Sequence, residues 1–112
     1  LVLTASAEQA LVKETLNALT LVRELGVKTA LGVSNVSFGL PNRILLNKAF
    51  LSMAMYAGLN MPILNPLDDE MLNMISAYKV LMNIDNNSEE YISKYQNADV
   101  VAPAAVKIEL SL

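Results

Sequence analysis

The chain has 112 residues, room for one domain with a modest core, and 54% of them are hydrophobic against 17% charged. Its net charge is −3 with lysine and arginine scattered, so no basic patch is offered to nucleic acid. Cysteine and histidine are absent, which excludes disulfides, the usual zinc sites, cysteine nucleophiles and imidazole-dependent triads.

Leu1-Val2-Leu3 reads as a buried strand cut open at its start, unlike a signal peptide, and it ends at Thr4. Ser6 and Gln9 are spaced as a capping box. The helix they would open carries Leu11, Val12, Leu16, Leu19, Val22 and Leu25 at helical spacing. Gly26 suits the left-handed position that ends such a helix. Val27 to Val33 is the next strand.

Gly32-Val33-Ser34-Asn35-Val36-Ser37-Phe38-Gly39-Leu40-Pro41-Asn42-Arg43 then joins a strand end, a loop and a helix start. The loop residues are mostly small and polar. One reading is a plain strand-to-helix connection with glycines for its turns. The other is a loop that lays backbone N–H groups and a side-chain amide against a flat polar ligand, at the strand end where α/β proteins place their sites. Asn35 is the best candidate there, because an amide both donates and accepts. Thr4, Ser34 and Asn65 would stand at the strand ends, with Ser37, Asn42 and Arg43 just above. Arg43 opposes the helix dipole at a helix start, which suggests an anionic partner nearby unless it is a simple surface arginine.

The second helix runs from about Asn42 to Ala57, with Leu45, Leu46, Ala49, Phe50, Met53 and Ala54 as its apolar face and Gly58 as its stop. Leu59 to Leu64 is a third short strand, although Pro62 within it removes one ladder donor. Asn65-Pro66-Leu67-Asp68 turns into a third helix, capped by Asp68 or Asp69 and presenting Leu72, Ile75, Tyr78, the stem of Lys79 and Met82 on one side. Asp68, Asp69 and Glu70 read as capping and dipole complement rather than a cation site. The six methionines read as gap-filling core. Past Asn83, Asp85-Asn86-Asn87 is a polar turn and Ser88-Glu89-Glu90 opens a short helix to about Tyr95. Val100 to Leu112 reads as a connector or docking segment, in which Val106 to Leu110 alternates like an edge strand.

The strand ends near Leu3, Val33 and Leu64 recur about every 30 residues, each followed by a helix, which is the period of one βα unit of a parallel sheet. Three such units make either a small open sheet or the end of a (β/α)8 barrel. High apolar content, with a mean hydropathy of +0.38, implies surface meant to meet something outside the chain. No apolar run reaches the ~18–20 residues of a bilayer span, so no membrane segment is expected. The cysteine-free composition fits the cytoplasm.

The block from Gly32 to Arg43, with Leu46-Asn47, Phe50-Leu51, Ala57-Gly58-Leu59 and Asn65-Pro66-Leu67-Asp68, resembles the pterin-binding barrel of cobalamin-dependent methyltransferases, above all the folate domains of the methionine synthase branch. The resemblance runs from Leu1 to about Asp85. It implies an α/β fold, the C-terminal portion (about three βα units) of a (β/α)8 TIM barrel, with Leu1–Leu3, Thr29–Val33 and Met61–Leu64 as its sixth to eighth strands. The first five strands, and the pterin contacts they carry, would be absent from this chain. It further implies methyltetrahydrofolate as substrate, and transfer of its N5 methyl group to cobalamin presented by a separate domain or corrinoid protein. Asn35 matches the asparagine that hydrogen-bonds the pterin near N5, Gly32 and Ser34 match its neighbours at the pocket wall, and Arg43 matches a loop arginine. Residues 1–85 would be barrel, and 86–112 a short helix and linker toward a cobalamin-binding module. Alternatives are a corrinoid/iron–sulfur protein methyltransferase, dihydropteroate synthesis, or a non-catalytic piece that self-associates through open sheet edges.

Overall fold

The computed structural model describes residues 4–97 and 105–112. The expected first strand, Leu1–Leu3, lies outside them. The described residues form an α/β arrangement of four α-helices and a two-stranded parallel sheet.

Helix α1 spans Ala10–Glu24, but the expected capping box does not form. Gln9 holds the N-cap position with helical dihedrals and makes no side-chain cap bond. Ser6 instead donates its hydroxyl to the Phe38 carbonyl at 2.8 Å, because a partner from the neighbouring loop lies within reach. The helix ends as expected. Gly26 is left-handed (φ 76°), its amide donates to the Arg23 carbonyl, and that of Val27 donates to Val22.

Strands β1 (Ala30–Gly32) and β2 (Met61–Ile63) pair in parallel with Ala30 opposite Met61, Leu31 opposite Pro62 and Gly32 opposite Ile63. Both are shorter than the apolar runs that contain them, and β1 stops where a 3-10 turn takes over at Val33. The Thr29 amide donates to Asn60 Oδ1 at 2.9 Å, which fixes the register at the lower end. Among the described residues β2 pairs with β1, and Pro62, opposite Leu31, withholds one ladder donor as expected. Leu31 and Pro62 face the helices and are half-buried, whereas Ala30, Gly32, Met61 and Ile63 form an exposed, largely apolar second face.

Helix α2 (Arg43–Ala57) lies between α1 and the third helix, α3 (Asp69–Leu81), and that flanking corrects the expected face. Asn47, Phe50, Leu51 and Ala54 are buried, a stripe at the i, i+3, i+4, i+7 spacing of one helix face. Leu45 and Met53 are exposed. Gly58 (φ 122°) closes α2 and donates to the carbonyls of Ala54 and Met55. From α1, Thr20 Oγ1 donates to the Ala57 carbonyl at 3.2 Å and Arg23 Nη1 to that of Tyr56 at 3.2 Å, so α1 caps the end of α2.

Asp68 caps α3 as expected, its carboxylate accepting from the Met71 amide at 3.3 Å. Met71 is buried, and Met74 and Ile75 pack against the core. Leu72 and Tyr78 are half-buried, but Met82 falls past the helix end and is exposed. The methionines are therefore not uniformly core, since Met53 and Met61 are exposed too.

Helix α4 (Glu89–Tyr95) is held by Asp85 rather than by Ser88. The buried Asp85 carboxylate accepts from the Glu90 and Tyr91 amides at 3.1 and 2.9 Å. Residues 105–112 carry no regular structure and are exposed, so the edge strand considered for Val106–Leu110 does not form. The core comprises Leu19, Val33, Val36, Phe50, Leu51, Ala54, Leu59 and Met71, and it lies under the sheet face lined by Leu31. No helix among the described residues is long and apolar enough to cross a membrane.

Candidate functional site

The turn Val33–Ser37 leaves β1 directly as a 3-10 helix. Side chains three apart eclipse in such a turn, so Val33 and Val36 point the same way, and both are buried. Ser37 is buried with them, and Ser34 and Asn35 are left exposed at the strand end. The Val-Ser-Asn-Val spelling is therefore an anchor, two presented polar residues and a second anchor.

The turn is fixed from two sides. On one side the Ala5 amide donates to the Val36 carbonyl at 2.9 Å, and Ser6 holds Phe38. On the other, Arg43 Nη2 donates to the Ser34 carbonyl at 2.9 Å and Arg43 Nε to Ser37 Oγ at 3.0 Å. The Ser37 hydroxyl in turn donates to Asn47 Oδ1 at 2.6 Å, with the Ser34 carbonyl also within reach at 3.1 Å. The guanidinium carbon lies 5.8 Å from the centre of the Phe38 ring, a cation–π distance.

The structure thus brings Ser34, Ser37 and Arg43 together and adds Asn47, which sequence reasoning did not single out. Its signal was legible in principle, since Asn47 is an amide on an otherwise apolar helix stripe four residues after Arg43. Arg43 is committed to the loop by two hydrogen bonds, a use for this cation at a helix start that needs no anionic ligand. The Asn35 backbone carbonyl accepts from the Phe38 amide at 3.2 Å. Gly32 closes β1 opposite Ile63. Asn65 Oδ1 accepts from the Leu67 amide at 3.0 Å and so shapes its own turn. Asn42 is left-handed (φ 51°) without a side-chain cap bond, and the Thr4 carbonyl closes the turn before α1.

A groove of about 530 Å³ runs between α1 and α2 and is lined chiefly by apolar side chains such as Val12, Leu16, Leu46, Phe50 and Met53. It belongs to the helix layer and does not include Asn35. Glu70 pairs with Lys48 at 2.6 Å, and among the described residues no cluster of acidic side chains could hold a metal ion.

No family model matches the chain. A methylcorrinoid:tetrahydrofolate methyltransferase of Eubacterium limosum is 30% identical to it over 69 residues, which is 62% of this chain and 26% of that protein. The chain thus spans about a quarter of the length of this relative. The similarity is with a folate–corrinoid methyltransferase, and it does not single out the methionine synthases.

Proposed function

We propose that the chain is the C-terminal part of a pterin-binding (β/α)8 barrel, about three βα units long, in an enzyme that moves a methyl group between folate and a corrinoid. The observation that carries this reading is the similarity to a folate–corrinoid methyltransferase, combined with an exposed Ser34–Asn35 pair at the end of a parallel strand. The exposed face of Ala30, Gly32, Met61 and Ile63 supports the barrel, because closing strands would cover it as the barrel interior. On this reading residues 1–85 are barrel. Residues 86–112 lead toward a cobalamin-binding module and begin anchored, since Asp85 holds the first turn of α4.

Asn35 would bind the pterin near N5, with Gly32 and Ser34 at the pocket wall and Arg43 behind the loop. An amine nitrogen leaves a methyl group poorly unless it gains a proton, so a hydrogen bond that strengthens with protonation lowers the barrier. A site that stabilises this transition state serves both directions. Transfer from methyltetrahydrofolate to cobalamin, as in methionine synthesis, and transfer from a methylcorrinoid, as the relative's name states, are both compatible with it. When bound, the corrinoid supplies the methyl-accepting or methyl-donating centre, and it would be presented by a separate domain or protein. Titrating methyltetrahydrofolate into the protein completed upstream of Leu1 tests the reading by calorimetry. Binding that weakens in Asn35→Ala is expected. Failure to bind, or binding indifferent to that substitution, rejects it.

The same exposed sheet face favours a second reading, a non-catalytic piece that self-associates. A concentration-independent monomer in sedimentation would reject it.

A further inference from the structure

We infer that Asn47, together with Arg43, is a positioning residue that sets the geometry of the Asn35 turn from beneath. A 3-10 turn has poorer internal hydrogen bonds than an α-helix, so its shape depends on outside supports. Here the supports converge on the two residues that flank Asn35 and Val36. Arg43 grips the Ser34 carbonyl and the Ser37 hydroxyl together, and Asn47 Oδ1 accepts a hydrogen bond from the Ser37 hydroxyl at 2.6 Å. Ser37 is wholly buried and Asn47 nearly so. A hydroxyl has one proton and two lone pairs, so Asn47 and Arg43 between them fix its orientation.

Arg43 and Asn47 are four residues apart on α2 and therefore share a face of one rigid element. Burying an amide costs stability unless it is hydrogen-bonded. Leu51 and Phe50 beside it show that apolar side chains suit this stripe, so packing gives no reason for an amide there. Its bond to Ser37 does. The consequence for methyl transfer rests on the folate reading above, whereas the consequence for the turn does not.

Amide hydrogen exchange on the 112-residue chain tests the brace. The reporters are the Phe38 and Leu40 amides, which bond to Asn35 and Ser37 carbonyls, with Gly58 and Leu59 at the far end of α2 as controls. Asn47→Leu keeps the volume and removes the acceptor, and it should speed exchange at Phe38 and Leu40 by about tenfold with the controls unchanged. Asn47→Asp keeps an acceptor oxygen and should restore protection. Because Arg43 is exposed, Arg43→Gln leaves the core intact and should loosen the same two amides. In the completed protein, Asn47→Leu should slow single-turnover methyl transfer more than it weakens methyltetrahydrofolate binding, and Asn47→Asp should recover the rate. Exchange at Phe38 and Leu40 that is unchanged in Arg43→Gln, or raised no more than at the controls, overturns the brace whether or not Asn47→Leu folds. Absence of folate binding by the unsubstituted protein overturns the folate reading alone, and exchange still decides the brace.

Discussion

Ser6 and Phe38, 32 residues apart in the chain, are joined by a hydrogen bond of 2.8 Å from the serine hydroxyl to the phenylalanine carbonyl. The bond ties the turn before α1 to the loop before α2, so two successive connections hold each other at one end of the molecule. Gly39 sits against the same serine. A Cβ built there would lie 3.3 Å from Ser6 Oγ, on a backbone with φ +83°.

Ser6→Ala should therefore cost about 0.5–1.5 kcal/mol, the usual net worth of one hydrogen bond. Gly39→Ala should cost about 1–2 kcal/mol from its left-handed backbone alone. In the Ser6→Ala background the close contact disappears but the backbone cost stays, so Gly39→Ala should remain destabilising. Urea unfolding of the two single variants and the double variant measures this.

Gly58 and Gly26 both close helices, yet their replacement should differ. At Gly58 a Cβ would lie 2.8 Å from Arg23 Cδ and 2.9 Å from Arg23 Cβ, so α1 itself would have to shift. At Gly26 nothing lies within 4 Å, and only the positive φ resists a side chain. Gly26→Ala should cost about 1–2 kcal/mol, and Gly58→Ala should exceed it by about 1–3 kcal/mol of overpacking. Equal midpoints in thermal unfolding would contradict the close approach of Arg23 to the end of α2.

These closures also show what the sequence made legible. Gly26, Gly58 and Asp68 act within a few residues of themselves, and local chemistry was enough to place them. Two of the three expected βα units, β1 with α2 and β2 with α3, were readable for the same reason. The buried face of α2 was not, because a helix flanked by α1 and α3 buries the stripe between them rather than its most apolar side. Ser6 had two possible uses, and a contact with Phe38, invisible in local spacing, decided between them. At the candidate site, Ser34 and Asn35 could be named from the strand-end loop, since buried valines on either side leave them exposed. The support beneath them left only a weak signal, an amide four residues after Arg43, because Asn47 meets Ser37 only once α2 has folded back across the turn.

Asp85→Ala should release α4 without unfolding the rest. The carboxylate satisfies two amides of the first turn, and the loss of such a cap costs about 0.5–2 kcal/mol. Tyr95, whose hydroxyl donates to Asn73 Oδ1, and Lys94, near Ser76, dock α4 on α3 and would be loosened with it. Hydrogen exchange should quicken at Glu90 and Tyr91 while the α2 amides stay protected. Loss of protection throughout the chain would instead make Asp85 a global support.

Lys48→Ala should change stability by no more than about 0.5 kcal/mol. Its ion pair with Glu70 is short at 2.6 Å, but both side chains meet solvent, where water and salt screen the attraction. Unfolding midpoints at low and high salt should converge for the wild type and the variant. A large loss, insensitive to salt, would show that the lysine stem rather than its charge links α2 to α3.

Asn35 gives the prediction that bears most directly on the proposed chemistry. In the protein completed upstream of Leu1, Asn35→Ala should slow methyl transfer more than it weakens folate binding. Its hydrogen bond near N5 becomes charge-assisted as that nitrogen gains a proton, and such bonds are roughly twice as strong as neutral ones. Losing it should raise the barrier by about 2–4 kcal/mol, by analogy with a single oxyanion-hole donor. Ground-state affinity should fall by only about 0.5–1.5 kcal/mol, the worth of one neutral bond. Asn35 is exposed at the end of β1, so the variant leaves the buried core side chains in place, and urea unfolding of the same preparation shows how much of either loss comes from stability. Single-turnover rates and equilibrium binding on the same preparation separate them. Equal losses in both would mean that Asn35 only holds the pterin, and its part in protonation would have to be given up.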